Sequence, residues 1–388
     1  MGGEAIKALQ IFCEFKKINP NTIQITHERC KEELSGRLNL NGVHYVHDTW
    51  FALFLWRSKI FSRLLDVWFS VKAVKLAEQL ATRKGEANRS TVIHQTEPNS
   101  PVLIRSLSNL CFNAIGPVNG NIYYPKLFRH SETFQNFLRR KLHLPIQRLS
   151  ALAFSRQKKA DLVLAAGGDR TITSLIAAGY RRDIIKETID CGVRDEILDQ
   201  PRITHQGQNF RFVHYGRLTY HKGTFLAIES LKQADDRVSL DIIGTGPELE
   251  ACQLIVKKLR LERQVNFLGW FKSHQALLDS LRKYRGMVLP SFEDANGIVV
   301  QESMALGLPP ICLNWGGPQL LIEHGKSGFL INPTSRADIA SKLAEAFEKL
   351  SCEPELAEKM SIAGRARAEA WRWSRVANEW MASYSHSL

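Results

Sequence analysis

Two loop-to-helix junctions hold the residues whose types and spacing could do chemistry. In one, the apolar run Phe210–Tyr215 leads into Gly216-Arg217-Leu218-Thr219-Tyr220-His221-Lys222-Gly223, and a helix is predicted from near Thr224. A guanidinium can bind phosphate oxygens bidentately and an ammonium adds a compact positive charge, so Arg217 and Lys222 suit a diphosphate. In the other, Met287–Leu289 runs into the turn-rich Pro290–Asn296, and Gly297 opens a predicted helix, Ile298–Leu306, closed by Gly307 and Pro309. The first N–H groups of such a helix, at Gly297, Ile298 and Val299, have no intrahelical acceptor and carry partial positive charge, which again favours an anion. Two carboxylates bracket this junction, Asp294 before the helix and Glu302 inside it. Along a helix axis Glu302 lies roughly 7–8 Å beyond Gly297, about the separation of a diphosphate from its ribose hydroxyls. Asp294 is left at the other end of the phosphates, where a transferred sugar would be.

The elements required to hold these junctions are those of doubly wound α/β domains, in which short apolar strands alternate with helices. Strands are predicted at Thr22–Thr26, Val43–Val46, Thr91–Gln95, from Asn113 into Asn119-Gly120, at Asp161–Ala165 and at Ile184–Thr188. Further strands are predicted at Phe210–Tyr215, Val238–Gly244, Val265–Gly269, Met287–Leu289 and Pro310–Leu313. Ligands collect at strand C-terminal ends in open α/β sheets, which makes His94, Asn119, Gly120 and Gly246 candidates. His94 is a candidate catalytic residue, with a hydrogen-bonded loop residue as the plain reading. The polar segment Gln200–Gln208 marks a boundary, giving a first domain over 1–205, a second over 206–372 and a final helix over 373–388. Gly2-Gly3 precedes a predicted helix, Ala5–Phe15. Such a pair normally follows a strand; none precedes it here, so the first domain is expected to lack its first strand.

A chain of 388 residues, 44% hydrophobic and 23% charged, has room for two cores and the composition of a soluble globular protein. Its seven cysteines are scattered without a C-x-x-C pair, which points to reduced thiols in a cytosolic setting. The net charge of +13 is uneven: residues 1–205 carry 30 Lys and Arg against 19 Asp and Glu, a net +11, and the remainder +2. Two basic stretches dominate the first half. Trp50–Leu80 reads as a long, amphipathic, basic helical stretch mixing Trp50, Phe51, Phe54, Trp56, Ile60, Phe61 and Trp68 with Arg57, Lys59, Arg63, Lys72 and Lys75. Lys126–Lys159 centres on Arg139-Arg140-Lys141 with interleaved Phe and Leu. Aromatic and basic residues together suit an anionic membrane interface, and for Trp50–Leu80 equally suit a helix hairpin packed on the sheet with its cations in water. No helix-turn-helix, zinc or aromatic RNA-binding signature accompanies the charge, so no nucleic-acid partner is expected.

The stretch Pro290–Pro318 resembles the nucleotide-sugar motif of retaining glycosyltransferases of family four, whose pattern is a Glu, seven residues, a second Glu and then Gly-x-Pro. Here Asp294 stands at the first position, Glu302 at the second, and Gly316-Gly317-Pro318 follows. The Gly216-Arg217-Leu218 and Lys222-Gly223 pairs fall at the family's spacing, as does Gly244-Thr245-Gly246-Pro247. The resemblance is close over about 208–384 and looser before it.

It implies a GT-B fold: two Rossmann-like domains facing across a cleft, with a C-terminal helix crossing back to the first. It implies transfer of a hexose from a nucleoside-diphosphate sugar to an acceptor hydroxyl with retention, in polysaccharide or glycolipid biosynthesis. Arg217 and Lys222 would hold the diphosphate, Glu302 the ribose, Asp294 the hexose and Gly246 the base. Gly2 and Gly3 would lie at the cleft floor, and His94, Asn119 and Gly120 on the acceptor side. Without a D-x-D motif no metal is expected and no cofactor beyond the donor. The expected partners are the donor and a sugar or lipid-linked acceptor, in the cytoplasm, with peripheral contact at the inner membrane face as a further expectation. A non-catalytic nucleotide-sugar-binding scaffold of a polysaccharide assembly is the alternative.

Overall fold

The computed structural model describes residues 3–35, 41–58, 62–97, 100–101, 105–153 and 159–387. The chain forms two compact units, one from Met1–Asn121, Leu138–Asp190 and Trp373–Leu388, the other from Ile122–Phe137 and Cys191–Arg372.

In the second unit, β7 (Arg211–Tyr215), β8 (Ser239–Ile243), β9 (Val265–Gly269), β10 (Gly286–Leu289), β11 (Pro310–Leu313) and β12 (Phe329–Ile331) make one sheet in the order β12-β11-β10-β7-β8-β9. All its pairings are parallel. Both faces are covered, and the strand residues alternate accordingly. Phe212, Val288, Ile311 and Leu313 point to one core, and Val213, Tyr215, Met287, Leu289 and Cys312 to the other. The order changes direction between β7 and β10, which are direct neighbours. The loops that leave their C-terminal ends are therefore adjacent, and those loops are the two junctions singled out in the sequence.

The first unit holds two parallel sheets. One pairs β1 (Gln24–His27) with β2 (Val43–Val46). The other runs β3 (Val92–Gln95), β4 (Phe112–Val118), β5 (Leu162–Ala165) and β6 (Ile185–Glu187) in that order. The C-terminal helix, Trp373–Ser387, belongs to this unit and packs on the helix Gly3–Ile18. Its Trp373 Nε1–H donates to Gln10 Oε1 at 3.1 Å and its Trp380 Nε1–H to Thr188 Oγ1 at 2.7 Å.

The stretch Trp50–Leu80 is two helices, Trp50–Arg57 and Ser62–Arg83. Ser58 turns extended and its N–H closes the first helix on Phe54 and Leu55 carbonyls. Lys59, Ile60 and Phe61 lie outside the described residues.

A histidine pins each of the two larger sheets, His94 partly buried and His214 fully buried. His94 at the end of β3 donates from Nε2 to the Gly116 carbonyl at 2.7 Å, and its Nδ1 accepts the Tyr384 hydroxyl at 2.8 Å. His214 on β7 donates from Nδ1 to the Val288 carbonyl of β10 at 3.0 Å and accepts Thr224 Oγ1 on Nε2 at 3.0 Å. A carbonyl can only accept, so the nitrogen facing it carries the proton, and the other nitrogen, left bare by burial, accepts from the hydroxyl. Burial, which outweighs those hydrogen bonds, pushes both down from 6.5 to about 4.

The unfolded chain takes up these protons first, so the stabilisation is complete above 6.5 and is lost as the pH falls towards 4. By the lower limit the loss is on the order of 3 kcal/mol per histidine. Denaturant unfolding across that range should show the decline, and His94→Gln should flatten it; an unchanged slope in the variant contradicts this account.

Candidate functional site

After β7 the chain makes a short turn, Tyr220–Lys222, and enters the helix Thr224–Ser230. After β10 it makes the loop 290–297 and enters the helix Ile298–Leu306, with the bounds the sequence predicts. The loops are joined by an ion pair: Lys222 Nζ lies 2.6 Å from Asp294 Oδ2. The other carboxylate oxygen, Oδ1, accepts the Gly297 N–H at 3.0 Å. Burial pushes the Asp294 pKa up, but the Lys222 charge and hydrogen bond, with backbone N–H groups of Gly297 and Asn296, outweigh it and hold the group below the ordinary carboxylate range. Asp294 is thus ionised, and ties Lys222 to the Gly297 N–H that precedes the helix.

Close approach of the surrounding backbone keeps this arrangement compact. Gly223 has φ +69°, and a Cβ there would run into the Pro290 carbonyl. Gly316 has φ +68°, and a Cβ there would stand 2.6 Å from the Asp294 carbonyl oxygen. That same carbonyl accepts the Gly317 N–H at 2.7 Å. Only glycine meets both the left-handed backbone and the contact at these two positions. Beneath the loop, Phe292 stacks on Phe128 at 4.2 Å and meets Tyr124 edge-on at 4.9 Å. Trp315 Nε1–H donates to the Tyr123 carbonyl at 2.8 Å. The segment Ile122–Phe137 thus braces the second unit's loop from below.

Around this centre, Ile298 and Val299 at the head of the helix have backbone N–H groups with no acceptor among the described residues, and Ile298 is at the surface. Arg217 is exposed, and its side chain makes no hydrogen bond or ion pair among the described residues. One turn into the helix, Glu302 Oε1 lies 3.2 Å from His274 Nε2 and 3.4 Å from Arg194 Nη2. Arg194 Nη2 also reaches His274 Nδ1 at 2.6 Å. His274 can therefore accept from Arg194 and donate to Glu302, fixing the carboxylate's direction. Neither Arg194 nor His274 is marked by a motif in the sequence. Gly246 packs against the Leu218 backbone, where a Cβ has no room. Beside it, exposed Trp270 donates from Nε1 to Thr245 Oγ1 at 2.8 Å. Arg217, Lys222, Gly246, Asp294, Gly297, Ile298, Val299 and Glu302 all belong to the second unit.

The other candidates belong to the first. His94 is enclosed by Phe15, Trp380 and Tyr384, with both ring nitrogens engaged. Asn119 and Gly120, beyond β4, are held by Arg170, which donates to Asn119 Oδ1 at 3.0 Å and to the Gly120 carbonyl at 3.1 Å. Burial pulls Arg170 down to about 10, against the opposing pull of Asp190. Lys7 is buried between Asp190 Oδ1 at 3.3 Å and Glu97 Oε1 at 3.2 Å. Gly3 opens the first helix; Gly2 lies outside the described residues. Among the described residues no cluster of three or more His, Cys, Asp or Glu could hold a metal ion.

Residues 195–367 match the sequence profile of the family described as glycosyl transferases group 1. Sucrose synthase of Solanum tuberosum is 42% identical over 152 residues, 35% of this chain and 19% of that protein. A Mycobacterium tuberculosis glycogen synthase is 26% identical over 67% of this chain and 61% of its own. A GDP-mannose-dependent alpha-(1-6)-phosphatidylinositol monomannoside mannosyltransferase from the same species is 28% identical over 48% and 50%. The chain spans between a fifth and three fifths of the length of these curated relatives.

Two solved structures match end to end. The lipopolysaccharide outer core galactosyltransferase WaaB has a TM-score of 0.67 at 14% identity, covering 100% of this chain and 97% of its own. Anabaena HepE in complex with UDP has 0.65 at 18% identity, with the same coverage. The fold is GT-B: two Rossmann-like units with the last helix returning to the first.

Removing Lys222 strands a largely buried carboxylate. Lys222→Met should cost on the order of 3 kcal/mol of stability, and adding Asp294→Asn should recover about 1–3 kcal/mol of that. A denaturant double-mutant cycle reads this directly; strictly additive losses would show that the two residues are not coupled.

Proposed function

We propose that the protein is a glycosyltransferase that moves a hexose from a nucleoside-diphosphate sugar to an acceptor hydroxyl with retention of anomeric configuration, in polysaccharide or glycolipid assembly. The observation that carries this reading is the grouping on one sheet edge of an unpaired Arg217, the Lys222–Asp294 pair, two unpaired helix-start N–H groups and a directed Glu302. The glycosyl transferases group 1 match over the same residues supports it.

In this reading the bond from the sugar's anomeric carbon to the diphosphate breaks and negative charge builds on the departing phosphate. Arg217, Lys222 and the N–H groups of Ile298 and Val299 meet that charge. Preorganised donors of this kind act most strongly where charge develops in the transition state. Glu302, aimed by His274 and Arg194, takes the ribose hydroxyls. Asp294 keeps acceptor capacity for hexose hydroxyls while paired with Lys222, since each carboxylate oxygen has a second lone pair. The acceptor oxygen attacks from the face the diphosphate leaves, and its proton passes to the departing phosphate oxygen, so no protein nucleophile is assigned. The base is assigned to the rim formed by Gly246, Thr245 and Trp270. Asn119 and Gly120, clamped by Arg170, are assigned to the acceptor side. His94, with both nitrogens occupied and its pKa near 4, is assigned to holding its strand end rather than to proton transfer.

Arg217→Ala should lower kcat by on the order of 10²–10³, while Glu302→Gln should mainly weaken binding of the free nucleoside diphosphate. Transfer assays with a matched donor, and the anomeric coupling in the product's NMR spectrum, check both the rate and the retention. Wild-type rates in Arg217→Ala, or an inverted product, would overturn the reading.

A further inference from the structure

The helix Phe134–Ala153 is built inside out. An amphipathic helix of a soluble domain ordinarily turns its apolar stripe to the core. Here Gln147 is fully buried and exchanges hydrogen bonds with Ser174 Oγ, at 2.6 and 2.8 Å. On the same inward side, Arg140 and His143 are half-buried. The opposite side carries Leu138, Leu142, Ile146, Leu149 and Leu152, exposed by 37, 43, 49, 66 and 81%. With 3.6 residues per turn these five lie within roughly 120° of one another, a continuous stripe along the helix. Exposed cations border it: at the same angular step Lys141 and Arg148 fall on one flank and Arg139 on the other. The helix contains no Asp or Glu.

We propose that this stripe is a docking surface for an anionic lipid bilayer, lying in the plane of the headgroups with its leucines in the acyl boundary. The charge pattern selects this occupant. A second copy of the chain, paired stripe to stripe, would bring cations against cations with no acid in the helix to offset them, whereas an anionic surface meets the cations of both flanks while the stripe is buried. Among the described residues no helix is long and apolar enough to cross a membrane, so the contact is peripheral. The half-buried Arg140 is turned towards the protein and contributes little, which separates it from its neighbours Arg139 and Lys141. This proposal does not depend on the donor-site reading: it concerns another unit and is read without any sugar.

The test uses the full chain and two kinds of vesicle, phosphatidylcholine alone and phosphatidylcholine mixed with phosphatidylglycerol, followed by co-sedimentation at low and high salt. The wild type should sediment with the mixed vesicles only, and be released by salt because the charges act within a Debye length of about 8 Å. Each flanking cation contributes about fivefold to partitioning, so Arg139/Lys141/Arg148→Gln should weaken binding about a hundredfold. Leu142/Leu149→Gln should also lose binding, and Arg140→Gln should keep it. Near-wild-type circular dichroism of these variants confirms that the exposed substitutions leave the fold intact. Equal sedimentation with both vesicles, or none with either, overturns the proposal. So does a dimer in sedimentation velocity that Leu142/Leu149→Gln dissolves without any vesicle binding, which would assign the stripe to a second copy.

Discussion

The two loops of the second unit's site are tied together by the need to compensate the largely buried charge of Asp294. Asp294 sits where an ionised carboxylate is costly unless it is paired and hydrogen-bonded. Lys222 supplies the pairing and Gly297 a backbone donor. Meeting that need ties the loop after β7 to the loop after β10, and those loops can meet because the sheet order makes their strands neighbours. His214 ties the same strands together one layer below, through Val288 and Thr224. Gly316 and Gly317 close over the loop from the β11 side, and Phe292, stacked on Phe128, supports it from beneath. Each of these features loses its purpose if the ion pair is taken away.

The pair also sets the electrostatics that a ligand meets. An unpaired Asp294 beside the helix start would repel phosphate and cancel the positive end of the helix. Neutralised by Lys222, it leaves Arg217 and the Ile298 and Val299 N–H groups as the net positive surface. Glu302 lies a turn away and is drawn towards Arg194 and His274. Positive and negative groups are thus separated along one short helix, which suits a ligand with an anionic centre and a hydroxyl-bearing end.

Much of this was legible in the sequence. The strands of the second unit are apolar runs cut by glycine and proline, and Gly297 and Gly307 bound the helix Ile298–Leu306 because both take left-handed backbone. The partners of Glu302 were not legible: Arg194 lies 108 residues away in the chain, and only the tertiary fold joins them. Sequence shows that Phe134–Ala153 has an apolar and a polar side, but not which side turns inward. That choice is made by Ser174, a residue on another helix, which receives Gln147. A helix hairpin over Trp50–Leu80 was legible, but its break at Ser58 was not placed, because the stretch has no proline or glycine to mark it.

The central claim is that the edge formed by Arg217, Lys222 and the start of the helix Ile298–Leu306 binds a nucleoside diphosphate through its phosphates. Thermal denaturation of the full chain with UDP, GDP and ADP, each beside its monophosphate, tests this most directly, since a ligand that binds only the folded state raises the Tm. The account predicts that at least one diphosphate raises the Tm, that its monophosphate does so far less, and that the difference disappears in Arg217→Ala. No shift with any diphosphate, or one that Arg217→Ala leaves intact, would contradict it.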